Sequence, residues 1–174
     1  MTKPEPLRRL PVGVVVERRK LTNPWAEFSW RPLAVLPGAP DTAPWTKLDE
    51  QPEVTRFYAG AREIELFPGS SGYYRDNLTS GDASLWVVLR PTGLDPPFEV
   101  FAVTADPNEG EGFTQAGDDL VEAVTMPDAI RGAIEAFVAE HHVETQFVKR
   151  QRDPADPEAL ARRAPTAKRD HDGG

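Results

Sequence analysis

Short apolar runs rich in β-branched and aromatic residues recur roughly every ten residues along this chain, and proline or glycine separates most of them. That rhythm leaves no room for long helices over most of the sequence and favours an antiparallel meander. Val12 to Val16 is a continuous β-branched run, the pattern of a buried strand. Phe28, Trp30, Leu33 and Val35 mark a second strand. Pro32 lies inside it and cannot donate to a ladder, so this strand is an edge or carries a bulge there. A proline-rich connection fills residues 36 to 53. Val54–Ala59 and Arg62–Phe67 read as a hairpin around Gly60-Ala61, with Ile64 and Leu66 facing one way and Glu63 and Glu65 the other.

Pro68 to Gly72 reads as a turn, Tyr73 to Leu78 as a strand, Ser84 to Arg90 as a strand with Trp86 and Val88 on one face, and Phe98 to Thr104 as the last strand. One helix is expected. Thr125 would cap it, Pro127 and Asp128 suit its first turn, and Ile130, Ala133, Ile134, Phe137, Val138 and His141 share a face. Val143 and Phe147 fall on another face, which predicts a bend after His142. The expected fold is α+β: a mostly antiparallel β meander of about seven strands, curled or barrel-like, with one C-terminal helix packed on it.

Charge divides the chain. Of 174 residues, 20 are Lys or Arg and 28 Asp or Glu, a net of −8. Residues 149 to 174 carry a net of +2, which leaves −10 for the rest. No basic residue lies between Arg90 and Arg131, a stretch holding Asp106, Glu109, Asp119 and other carboxylates. The expected organisation is a flexible segment at 1–10, one β-rich domain at 11–152, and a disordered tail at 153–174, whose only large aliphatic residue is Leu160. An acidic chain is not expected to bind nucleic acid specifically. No run approaches the ~20 apolar residues of a membrane span, and the Arg8-Arg9 pair before Leu10–Val16 is too short to read as an export signal. Cytoplasm is the expected compartment.

Catalytic motifs are scarce. There is no cysteine, hence no thiolate nucleophile or Cys-based metal site. Phosphate-loop, dinucleotide-fold and nucleophile-elbow patterns do not occur. His141 and His142 are adjacent, whereas zinc-binding helices space histidines four apart. His141 reads as a core-rim residue, and Asp106–Gly110 as a solvated loop. No resident cofactor or metal is expected. The aromatic residues are the more informative set. Trp30 and Trp86 fit core positions, while Trp25 and Trp45 each follow a proline in a loop, where a rigid ring can anchor an interface. Lys149, Arg150 and Arg152 form a basic cluster able to grip an anionic partner.

Taken in order, several blocks resemble a small proteobacterial family known only as a domain of unknown function. They are Val14-Val15-Val16-Glu17-Arg18-Arg19, Pro24-Trp25, Trp30-Arg31, Tyr74-Arg75-Asp76-Asn77-Leu78, Leu85 to Arg90, Met126-Pro127, and His141-His142-Val143-Glu144 through Phe147 to Arg152. Members of that family are typically encoded beside molybdenum- or tungsten-dependent formate dehydrogenase genes. The resemblance therefore implies a non-catalytic accessory or assembly role in maturing, loading or regulating that enzyme, with a dehydrogenase subunit or maturation factor as partner. Some relatives carry a label for attaching a nucleotide to molybdopterin. Such transferases resemble an α/β fold opened by a glycine-rich turn that this chain does not contain. The alternative is a small-molecule module that transiently holds a molybdopterin-type cofactor at the mouth of a curled sheet. Across these readings the candidate partner- or ligand-binding residues are Trp25, Trp30, Arg31, Trp45, Tyr74, Asn77, Arg90, Lys149, Arg150 and Arg152.

Overall fold

A computed structural model describes residues 4–115 and 117–152, with side chains as far as His141. The strands are β1 (Arg8–Lys20), β2 (Phe28–Pro37), β3 (Thr46–Glu50), β4 (Val54–Leu66), β5 (Ser84–Pro91), β6 (Phe98–Thr104) and β7 (Leu120–Thr125). The helices are α1 (Ser71–Leu78), α2 (Pro107–Thr114) and α3 (Asp128–Arg152). All strand pairing is antiparallel, in two sheets ordered β2-β1-β4-β3 and β6-β5-β7.

Strand β1 is the spine of the first sheet. Val12, Val14 and Val16 are fully buried against the core, while Gly13, Val15 and Glu17 are buried on the opposite face. That two-sided burial is what its unbroken apolar run implied. Gly13 is required there, because a Cβ at this position would sit 2.6 Å from the Tyr58 ring and 3.0 Å from Pro40. Pro32 lies beside a register shift on a strand at the sheet edge, so β2 accommodates its missing donor in both expected ways.

One core joins the sheets. Val12, Val14, Val16, Ile64 and Leu66 of the first meet Leu85, Val87, Leu89, Val100 and Val124 of the second. Helices α1 and α3 contribute Tyr74, Leu78, Ile130, Ile134, Phe137 and Val138 to the same cluster. Strand β4 approaches β6, where the Arg62 guanidinium donates to the Phe101 carbonyl at 3.4 Å. The sheets approach each other at β4 and β6 and at β2 and β7, but among the described residues no strand ladder joins them, and the barrel is not closed.

Seven strands were expected and seven occur among the described residues, yet they are not the same seven. The expected hairpin at 54–67 is one long strand, both halves of which pair with β1. Gly60 has φ +139°, while Ala61 does not leave the ordinary region, so the chain kinks at a bulge instead of reversing. Tyr73–Leu78 is helical. Pro68 opens a single 3₁₀ turn that runs into α1, and Tyr74 and Leu78, four residues apart, face the core. The supposed loop at 106–110 starts α2. The Asp106 carboxylate accepts from the Asn108 N–H at 2.9 Å, and Pro107 occupies the first turn. Strands β3 and β7 were not foreseen. Thr125 ends β7, so it caps no helix, and α3 begins at Asp128.

The remaining expectations fare unevenly. Ile130, Ile134, Phe137 and Val138 are buried on one face of α3, with Glu135 and Glu140 exposed. The helical backbone continues to Arg152 with no break after His142. Among the described residues three α-helices are present where one was expected. The ladder starts at Arg8, opposite Leu66, ahead of the expected boundary at residue 11. The expected disordered tail lies outside the described residues. Among them, no helix is long and apolar enough to cross a membrane.

Candidate functional site

An aromatic cluster occupies one end of the first sheet. The Trp30 ring packs on Phe28, Trp45, Phe57 and Phe98 with centroids 6.0–6.3 Å apart, nearly parallel to Phe57 and edge-on to Trp45. Strand register explains the gathering. Arg18 lies opposite both Trp30 and Thr55, and Lys20 opposite Phe28. The Arg18 guanidinium sits 4.3 Å from the Phe28 ring centre, 5.2 Å from that of Phe57 and 5.7 Å from that of Trp30. Such cation–π contacts each contribute about 0.5–1 kcal/mol at exposed sites and more when water is excluded. The backbone of Trp45 has φ +66°, a conformation that costs a bulky residue of order 1–3 kcal/mol.

Alternation sends Arg31 to the other face of β2, away from Trp30. Its Nε lies 3.4 Å from a Glu17 carboxylate oxygen that Arg19 approaches at the same distance. Glu17 is 4% exposed, so two arginines neutralise one buried carboxylate. Trp25 is in the turn between β1 and β2 and is 90% exposed. That turn is tied internally. The Asn23 side-chain oxygen accepts from the N–H groups of Trp25 and Ala26 at 2.9 Å, and the Leu21 N–H donates to the Glu27 carbonyl.

Tyr74 and Asn77 belong to the interior. The Tyr74 hydroxyl accepts from the Phe67 N–H at 3.0 Å, and its ring meets Phe137 edge-on. Burial is the main cause that pushes its phenol above the ordinary value. Asn77 donates to the carbonyls of Ser84 and Ala105 and accepts from the Ser84 N–H, stapling α1 to β5 and to the end of β6. Arg90 is on the second sheet. It binds Asp119 through two hydrogen bonds of 3.0 and 2.8 Å and lies 3.4 Å over the Phe101 ring. The Arg90 hydrogen bonds hold the Asp119 carboxyl below the ordinary range. Lys149, Arg150 and Arg152 are on the last turns of α3, and their side chains lie outside the described residues.

Of the ten residues singled out from the sequence, the structure therefore brings Trp30 and Trp45 into direct contact. Trp25, Trp30, Arg31, Tyr74 and Arg90 do not gather at one mouth, because they divide between two sheets, a turn and α1. Arg18, Phe57, Tyr58 and Arg62 were missed. Only the tertiary fold places them at the aromatic cluster or beside it, although Arg18 and Trp30 share strand patterning that could have paired them. Among the described residues, no group of three or more histidine, aspartate or glutamate side chains is arranged to hold a metal ion.

Two antiparallel sheets over one core, with an aromatic cluster at one end and an exposed tryptophan on a hydrogen-bonded turn, define an α+β protein. The chain belongs to the family described as protein of unknown function DUF3305, whose model matches residues 11–151. Comparison with curated proteins and with solved structures finds no match.

Proposed function

We propose that this protein is a non-catalytic accessory or assembly factor for a molybdenum- or tungsten-dependent formate dehydrogenase, acting in the cytoplasm by docking to a subunit or maturation factor. The choice of partner rests on the resemblance of its ordered blocks to a proteobacterial family encoded beside such enzymes. The docking mode rests on Trp25. A large ring 90% exposed on a hydrogen-bonded turn is costly to leave in water and loses little freedom when a partner covers it. Burying such a ring contributes about 2 kcal/mol or more where it acts as an interface anchor.

The test is affinity purification of the tagged full chain from its host during growth on formate. Wild type should recover a dehydrogenase subunit or a maturation factor. Trp25→Ala should lose that recovery while its thermal midpoint stays essentially unchanged, because the side chain touches no core residue. Recovery of neither partner by wild type would overturn the accessory role. Undiminished recovery by Trp25→Ala would overturn the docking mode. The alternative reading, a module holding a small molecule or a molybdopterin-type cofactor, draws support from an open cavity of about 490 Å³ lined in part by Pro44, Trp45 and Arg62.

A further inference from the structure

A cavity of about 490 Å³ opens beside Trp45, between the loop carrying Pro40 and Pro44, strand β4 and the start of β6. That volume lies within the range of small-molecule sites. Its apolar surface comes from Pro44, Trp45 and neighbouring alanines, and two charges of opposite sign stand on it, Arg62 from β4 and Glu99 from β6. Arg62 is oriented by backbone groups alone. Its guanidinium donates to the carbonyls of Phe101 at 3.4 Å and Ala61 at 3.1 Å, and it has no carboxylate partner among the described residues. Glu99 likewise makes no ion pair there, although its field reaches Arg90 across the β5–β6 ladder.

Two further observations mark the same wall. Tyr58 is 2% exposed, and its hydroxyl has no hydrogen-bond partner among the described residues. The Tyr58 hydroxyl is closed off from solvent, so it belongs to the packed back of this wall and not to the ligand's contacts. Its ring cannot retreat, since it lies across Gly13 at a distance where even a methyl group would collide. Trp45 is held with φ +66°, and strain of that kind gathers at ligand clamps. The Trp45 N–H donates to the Tyr58 carbonyl, so the strained residue and the unsatisfied one are joined through the backbone.

We propose that this cavity binds a small zwitterion of the free amino-acid class. Arg62 takes the carboxylate, Glu99 takes the ammonium, and Pro44 and Trp45 contact the apolar side chain. A guanidinium held by carbonyls suits a carboxylate, because its remaining N–H donors have no protein acceptor among the described residues. The site is distinct from the docking turn at Trp25 and stands or falls independently of it.

The test is an NMR titration of the isotopically labelled full chain, with the Trp45 indole N–H signal identified by its loss in Trp45→Phe. The probes are L-leucine, L-phenylalanine, 3-phenylpropionate (carboxylate only) and 2-phenylethylamine (ammonium only). At least one amino acid should shift the Trp45 signal saturably. Each single-charge analogue should bind about tenfold or more weakly, the loss of one charged contact. Glu99→Gln should bring phenylalanine down to the affinity of phenylpropionate and leave phenylpropionate unchanged. Arg62→Gln should abolish both. The exposed positions of these side chains let the variants fold, and their spectra report whether they do. No saturable shift with any probe at millimolar concentration would overturn the proposal, as would amino-acid binding that survives both substitutions unaltered.

Discussion

Asp119 shows how one residue can be read for its chemistry. Its carboxylate receives both Arg90 hydrogen bonds, and its side chain is only 6% exposed. A carboxyl whose folded pKa is lowered adds stability above its unfolded value of about 3.9, and that stability is lost as the pH falls through the lowered folded value. Asp119→Asn is therefore expected to lower the thermal midpoint at neutral pH, with the gap to wild type narrowing in acid. Melting curves at both pH values check this, and a gap that is unchanged in acid would contradict it. The sequence placed Arg90 among candidate ligand contacts because a guanidinium can match an anion bidentately. Asp119 is 29 residues away and comes opposite Arg90 only when β7 pairs with β5. Asn77 was legible as a special residue but not in its role, since its three backbone partners at Ser84 and Ala105 exist only after α1 has packed.

Elements were legible where one face alternates and obscure where a short segment does double duty. Ile64 and Leu66 point inward and Glu63 and Glu65 outward, as period-two patterning requires. Helix α1 escaped because eight residues give only two helical turns, and β-favouring tyrosines fill two of its positions. Helix α2 escaped because Gly110 and Gly112 disfavour helix, yet Gly110 is there for packing. A Cβ on Gly110 would lie 2.4 Å from Trp86 Cγ, so the helix can cover that ring only with glycine at this position. Gly110→Ala should accordingly destabilise the domain by about 1–3 kcal/mol despite its better helix propensity. Chemical denaturation would measure the loss, and a variant as stable as wild type would mean that α2 does not depend on this contact. Strand β3 left no trace in the pattern because all five of its residues are exposed at a sheet edge, where no buried face imposes alternation.

Across the whole chain, charge divides along the sequence, −10 over residues 1 to 148 against +2 over residues 149 to 174, and Lys149, Arg150 and Arg152 lie on the last turns of α3. If this basic cluster guides the docked partner, replacing Lys149, Arg150 and Arg152 with glutamate should reduce formate dehydrogenase activity in cells while leaving the melting of the domain unchanged. Added salt should weaken capture by wild type in the same direction, because exposed charges are screened beyond about 8–10 Å at physiological ionic strength. Normal cellular activity in the charge-reversed chain would remove the tail from the docking surface. The mostly antiparallel architecture was legible from strand rhythm, and its division into two sheets was not, because closure depends on whether β4 beyond β3 pairs with β6 and β2 with β7. The four tryptophans occupy sharply different surroundings. Trp30 and Trp45 pack together beside the Arg18 guanidinium, Trp86 lies beneath α2, and Trp25 alone is almost wholly in water. The chain thus carries its own optical label: red-shifted emission, open to quenching by iodide, belongs to the turn where a partner would land, and a blue shift of that component would time its arrival without any dye attached.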